Sequence, residues 1–358
     1  MNLSSANAET CKAAIFDAAN KPLRLENVQI PTPGPGEILV KIDACTVCGS
    51  DLHTMTGARN EKTPTILGHE IIGTVASTGS ARIFDAKKSP LSIGDRVTWS
   101  VCLSCGKCER CQRGFPQKCL QLKKVGHETF ESNTDLVGGF SELILLPNTM
   151  GVFKINSNTP DDLICPANCA TATTMAAFRN VEQIDGRSIL IIGAGLLGLT
   201  ASAYAKSKGA AEIVVLEPDE TRRKVASDFG CTSSYSDSSA FSPDTKFDII
   251  MDYSGVASAI ESAIPFSQLG CQIVLVGSVL PSPDIEIDPE FVVRNLISLH
   301  GVHNYTPVDL ERAIEFLELH GSSFPFGSLV AKSFPLEKIN EAIDYALDHK
   351  PIRVMIRP

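Results

Sequence analysis

The hydrophobic pattern changes rhythm near residue 165. Before it, apolar runs are short: Ile38-Leu39-Val40-Lys41-Ile42, Ile71-Ile72-Gly73-Thr74-Val75 and Asp95-Arg96-Val97-Thr98 stand between turn signals such as Pro33-Gly34-Pro35-Gly36 and Ile93-Gly94-Asp95. Runs of strand length between Gly and Pro turns predict an irregular, mostly β domain. From about Cys165, buried-strand runs at 188–192, 212–216, 247–251 and 272–276 alternate with helical periods at 196–208, 221–229 and 257–267. That alternation predicts a parallel, doubly wound sheet, because each parallel connection needs a crossover helix. Residues 233–242 read as a polar, Ser-rich loop. Two more helices, 307–320 and 336–348, precede a closing strand at 352–356 that suits either domain. The sequence shows no internal repeat.

Length agrees with two domains, since 358 residues exceed the ~250–300 at which a single core stops growing. No apolar run reaches the ~18–20 residues of a membrane span, so no membrane anchor is expected. A formal charge of −9 works against a nucleic-acid partner, which needs a basic surface, and leaves small molecules as the expected ligands. The stretch Met1 to Thr10 lacks the positive and apolar regions of a secretory signal and reads as a short frayed tail on a cytoplasmic protein.

Five of the 12 cysteines fall between Cys102 and Cys119, a clustering that in a reducing compartment points to metal rather than disulfides. Cys105, Cys108, Cys111 and Cys119 stand at C-x2-C-x2-C-x7-C in a segment with no apolar core of its own. Four thiolates so spaced enclose a tetrahedral zinc completely, which makes this a structural site. The chemical rival is a redox dithiol, and four cysteines in series favour metal. Cys102 lies one further three-residue step upstream and reads as a buried thiol outside the set.

A second constellation has room for chemistry. Cys48-Gly49-Ser50-Asp51-Leu52-His53 and Gly68-His69-Glu70 offer a thiolate and an imidazole, and a catalytic zinc takes three protein ligands while keeping one position open. The third is expected from Asn168-Cys169-Ala170-Thr171-Ala172-Thr173, with Cys169 preferred and Cys165 the alternative; either, alone, reads equally as a buried thiol. Asp51 and Glu70 suit an outer shell, since a metal-bound histidine donates its other N–H to a carboxylate; a solvated acid is the plainer reading. Gly193-Ala194-Gly195-Leu196-Leu197-Gly198 follows a predicted strand and opens a predicted helix, the context in which glycines and a helix N-terminus hold a dinucleotide pyrophosphate. Glu217, 19 residues after Gly198, is placed to bind the adenosine ribose and to repel a 2′-phosphate, favouring NAD over NADP. Arg222 and Arg223 work against that preference; Arg222 and Thr173 complete the expected cofactor contacts.

In order along nearly the whole chain, these motifs, with Gly138-Gly139-Phe140-Ser141-Glu142 and Val276-Gly277, resemble the zinc-containing alcohol dehydrogenases of the medium-chain dehydrogenase/reductase superfamily. The resemblance implies an α/β protein with a GroES-like, mostly-β catalytic domain (1–168, with the structural-zinc lobe at about 102–119), a Rossmann NAD-binding domain (169–302) and a C-terminal segment (303–358) returning to the first domain. It implies that Cys48, His69 and Cys169 bind a catalytic zinc, that Ser50 and His53 occupy proton-relay positions, and that the chain forms homodimers or homotetramers. The expected activity is NAD-dependent oxidation of an alcohol, or the reverse reduction of an aldehyde or ketone, with two zinc ions per subunit. Gly49 stands where some members direct a basic residue at the cofactor pyrophosphate, and Cys169 where polyol and threonine dehydrogenases often carry an acid. Residues 46–72 look similar to a subgroup associated with phosphonate catabolism. The alternatives are a polyol or amino-alcohol dehydrogenase, a zinc-free quinone or enone reductase, and a non-enzymatic NAD- or zinc-binding protein.

Overall fold

The computed structural model describes residues 9–358, so most of the expected N-terminal tail lies outside the described residues. Thr10, assigned to that tail, already pairs with Gln29 in a strand. The chain divides into two compact units. The first runs to Cys169 and takes in Thr306–Ile314 and Phe326–Pro358; the second comprises Ala170–Tyr305 and Glu315–Pro325.

The first unit is built on a seven-stranded sheet. Its long central strand, Ile38–Thr46, pairs antiparallel with Glu70–Thr78 on one side and Arg353–Arg357 on the other, and with Leu143–Leu146. Arg96–Trp99 and Val152–Lys154 extend the sheet beyond Glu70–Thr78, and Val330–Pro335 closes the opposite edge. Ile42, Ile71, Trp99, Phe140 and Ile356 are buried in one core, whose cohesion comes from removing apolar surface from water. The closing strand therefore belongs to this unit: its apolar residues find a matched register at Met355↔Thr46 and Ile356↔Cys45.

The second unit holds six parallel strands in the order Ser233–Tyr235, Glu212–Leu216, Ser188–Ile192, Phe247–Asp252, Ser267–Leu275, Ser298–Gly301. Buried runs such as Ile189 to Ile192 and Ile213 to Leu216 suit strands covered on both faces.

Three expectations need correction here. Residues 233–242 are not all loop: Ser233–Tyr235 adds to the sheet edge parallel to Glu212–Leu216, backbone pairing overriding a polar sequence. The helix expected over 257–267 stops at Ala263, because Pro265 cannot donate a helical N–H; a 3-10 turn follows and the next strand already starts at Ser267. Residues 315–325 pack with the second unit rather than the first, since Phe316 meets Tyr204 edge-on at 5.3 Å and Phe324 stacks on Phe229 at 6.3 Å. Among the described residues no helix is long and apolar enough to cross a membrane.

Candidate functional site

Strand register assembles the first cluster. Thr46 lies opposite Glu70, so the chain leaving one strand at Cys48 and the chain entering the other at His69 run side by side. Gly68 makes that entry possible: its φ is +85°, and a Cβ there would sit 2.7 Å from the Phe140 ring and 2.9 Å from Cys45 Sγ. Cys48 is the N-cap of the helix Gly49–Met55, and its N–H is accepted by Asp51 Oδ2 at 2.9 Å. The other Asp51 oxygen stands 3.4 Å from His69 Nδ1. His69 Nε2 lies 3.4 Å from Ser50 Oγ.

Cys169 arrives on a 3-10 turn, Cys165–Asn168, that is pinned to three strands. Cys165 donates its thiol to the carbonyls of Glu70 (3.1 Å) and Ala44 (3.5 Å). Asn168 accepts the Ile71 N–H at 3.2 Å and donates to the Trp99 carbonyl at 3.1 Å. Ligand atoms of Cys48, His69, Glu70 and Cys169 lie within 4.8 Å of one another. Cys165 is in no such group, so the structure gathers Cys169 and leaves Cys165 as a buried staple.

The donor set fits zinc: two thiols and an imidazole, mutually close and largely out of water. A hydrogen bond from Cys169 holds the Cys48 thiol well below its ordinary range, with Arg353 adding to the effect. The same bond and burial push Cys169 up.

Glu70 is engaged elsewhere. Rather than taking the His69 N–H, its carboxylate receives two bonds from Arg353, Nε at 2.7 Å and Nη2 at 2.8 Å, and one from Thr46 Oγ1 at 2.6 Å. Arg353 Nη2 also lies 3.7 Å from Cys48 Sγ. Burial pushes Glu70 up, and Arg353 pulls it back. Reasoning from sequence missed Arg353, Thr46 and Asn168. One signal was present for the first: a guanidinium in the middle of the apolar run Ile352 to Ile356, where a charge needs a buried partner.

The four-cysteine lobe closes on itself. Sulfur separations are 3.5 Å for Cys108–Cys111, 3.8 Å for Cys108–Cys119 and 3.4 Å for Cys105–Cys119. An ion held tetrahedrally at about 2.3 Å from each sulfur spaces them by roughly 3.8 Å, so zinc fits. Backbone N–H groups of Cys105 and Gln121 point at Cys119 Sγ, and that of Cys108 at Cys105 Sγ. Backbone N–H groups of Leu120 and Cys111 hold Cys108 down at about 6. Cys102 sits outside, in a two-residue strand paired with Lys124.

In the second unit, Gly193 has φ +99° and Gly195 caps the helix Leu196–Ser207. A Cβ on Gly198 would fall 1.9 Å from the Gly193 carbonyl oxygen, so the tight strand-to-helix turn excludes any side chain there. Leu196 is buried and Leu197 half-buried in the first turn. Glu217 Oε2 accepts the Ala194 N–H at 2.8 Å, tying the end of one strand to the glycine loop. The Arg222 N–H is capped by Asp219, and the Arg223 guanidinium donates to the Glu217 and Pro218 carbonyls. Thr173 is half-buried on the helix Ala170–Phe178. Ser50 is half-buried, and His53 is exposed one turn further along the same helix.

Residues 34–157 match the alcohol dehydrogenase GroES-like domain, and residues 197–318 match the zinc-binding dehydrogenase domain. An L-threonine 3-dehydrogenase of Stenotrophomonas maltophilia is 26% identical, over 96% of this chain and 99% of its own length. A sorbitol dehydrogenase of Bacillus subtilis is 28% identical, over 98% of each chain. The crystal structure of an alcohol dehydrogenase from Thermotoga maritima shares the fold with a TM-score of 0.92 at 24% identity, covering 98% of this chain and 100% of that one.

Proposed function

Because the chain belongs to the zinc-containing alcohol dehydrogenase family of the medium-chain dehydrogenase/reductase superfamily, we propose that it oxidises an alcohol with NAD and reduces the corresponding carbonyl compound in reverse. The observation that carries this reading is the convergence of Cys48, His69 and Cys169, with Ser50 3.4 Å from the imidazole. Zinc, when bound there, supplies a Lewis acid for an alcohol or carbonyl oxygen, and the nicotinamide supplies the hydride acceptor. Asp51 places a carboxylate 3.4 Å from the His69 ring, and Arg353 neutralises Glu70 so that it does not repel the thiolates. Ser50 Oγ takes the hydroxyl proton, and exposed His53 is the group from which it reaches water. Glu217 favours a cofactor with a free 2′-hydroxyl.

The test is NADH formation by zinc-loaded protein, with NAD and NADP in parallel. The panel holds simple alcohols, polyols, amino alcohols and hydroxyalkyl phosphonates. Turnover with at least one class is expected; silence across all four from a chain carrying both zinc ions sinks the dehydrogenase reading and leaves a binding protein. A polyol or amino-alcohol substrate is the second reading, favoured by the two relatives of those kinds. Replacing Ser50 with alanine is expected to lower kcat by about 10²–10⁴, the usual worth of positioned proton transfer, with zinc content and cofactor affinity unchanged.

We also propose that the protein is a homo-oligomer joined through the last strand of the second unit. Ser298–Gly301 has no neighbour on its outer side among the described residues. Val293, Leu296 and Leu299 expose 71%, 68% and 49% of their surfaces close by in sequence. A free edge with apolar side chains is a template for pairing with a second copy. Sedimentation should show a dimer or tetramer for the native chain and a shift to monomer for Leu299→Lys; an unchanged distribution removes this edge from the interface.

A further inference from the structure

Beside the metal cluster, in the same unit, lies a buried polar group that none of the steps above uses. Gly126 has φ +77°, and a Cβ there would meet the Gly68 carbonyl oxygen at 2.7 Å and His69 Cβ at 3.3 Å. The two backbones therefore touch, and the next residue, His127, is held with its ring 5.4 Å from the His69 ring, centroid to centroid. Glu61 reaches His127 from the loop that follows the helix Gly49–Met55: its Oε2 is 2.6 Å from His127 Nδ1. Arg59 stands 3.4 Å from the same oxygen. Arg59 is thus paired with an acid, as Lys62 is with Glu128 at 3.2 Å, so neither cation is a free anion receptor.

The pairing settles the direction of the hydrogen bond. Against its burial, the bonds and charges of His127 and Arg59 hold the Glu61 carboxyl below its usual range, so it accepts and Nδ1 donates. Nε2 is then a lone-pair acceptor, and among the described residues it takes no hydrogen bond. The Glu61 and His127 side chains are only 10% and 9% exposed, and taking a carboxylate largely out of water costs several kcal/mol, a weak way to stabilise a fold. A fixed acceptor next to a metal-binding imidazole has a use if a ligand fills it.

Resting on the dehydrogenase reading, we propose that His127 Nε2 accepts a hydrogen bond from a second donor on the substrate, making it the residue that selects alcohols with a hydroxyl or ammonium group on the carbon next to the reacting one. A donor on the neighbouring carbon extends the substrate beyond the oxygen held at the metal cluster, and a hydrogen bond of about 2.8 Å then closes the gap toward the ring that lies 5.4 Å from the His69 ring. Glu61 and Arg59 are positioning residues, since they act on substrate only through the ring.

The test compares kcat/KM for propylene glycol and its amino-alcohol analogue with that for n-propanol. The proteins are the zinc-loaded native enzyme, His127→Phe, which keeps a ring and removes the acceptor, and His127→Gln, which retains one. Native enzyme is expected to favour the bifunctional substrates. His127→Phe should lose about 10- to 100-fold on these alone, the worth of one unmade buried hydrogen bond, with n-propanol within about threefold of native, and His127→Gln should recover part of the loss. Equal losses on all three substrates, or no native preference for a vicinal donor, overturn the proposal while the dehydrogenase reading stands. Absence of oxidation of any alcohol overturns both. Should either variant fold poorly, the imidazole ¹⁵N spectrum of native holoenzyme decides: a shift of the Nε2 resonance with the glycol but not with n-propanol supports the assignment, and no shift with either rejects it.

Discussion

Cys48→Ala is expected to hold one zinc ion per chain in place of two and to turn over about four orders of magnitude more slowly. The loss follows from the number of ligands. His69 and Cys169 alone cannot enclose a cation, and Lewis-acid polarisation is worth several kcal/mol of transition-state stabilisation, at about 1.4 kcal/mol per tenfold in rate. One ion should survive because Cys105, Cys108, Cys111 and Cys119 form a separate cluster that shares no residue with the first. Folding should survive as well, since the Cys48 N–H that caps the helix on Asp51 is backbone and remains. Elemental analysis with steady-state NADH formation checks both halves. Two ions retained, or a rate within tenfold of native, would show that Cys48 is no ligand.

Removal of the guanidinium at position 353 should give the largest loss of stability. Arg353 is 7% exposed, Glu70 0%, and Arg353 gives two of its bonds to that one carboxylate. Arg353→Met leaves a buried carboxylate with only Thr46 to donate to it, and breaking a buried pair in this way costs about 3–5 kcal/mol. The double variant Arg353→Met with Glu70→Gln removes both charges and should regain most of that loss, because two neutral groups no longer oppose desolvation. Urea unfolding of the four proteins of this cycle, each zinc-loaded, measures the coupling. A double variant as unstable as the sum of the singles would mean that the two side chains act independently.

The readable parts of the sequence were those whose signal is local. The strands Ser188–Ile192 and Glu212–Leu216 and the helix Pro307–His320 carry the bounds that periodicity predicts, since each is a long, uninterrupted pattern. The four-cysteine lobe and the glycine loop are equally local: their parts lie within a few residues of one another, and spacing alone brings them together. Local reading failed where a long-range partner overrode it. Ser233–Tyr235 is polar yet becomes a strand because Glu212–Leu216 offers it a ladder, and residues 315–325 change unit because Phe316 and Phe324 find aromatic partners there. His127 carried no motif, and its pairing with Glu61 spans 66 residues.

By itself, then, the sequence determined the two domain types, the four-thiol lobe, the dinucleotide turn and the residue kinds available for a catalytic metal, all features that close over short stretches where little chain entropy opposes contact. The tertiary structure decided which groups meet. It chose Cys169 over Cys165, turned Glu70 from His69 to Arg353 across 283 residues, and set His127 beside His69. Those choices depend on strand register and on the close approach of glycine backbones, which follow from how the whole core packs and, the guanidinium inside the apolar run at Arg353 apart, leave no mark along the chain.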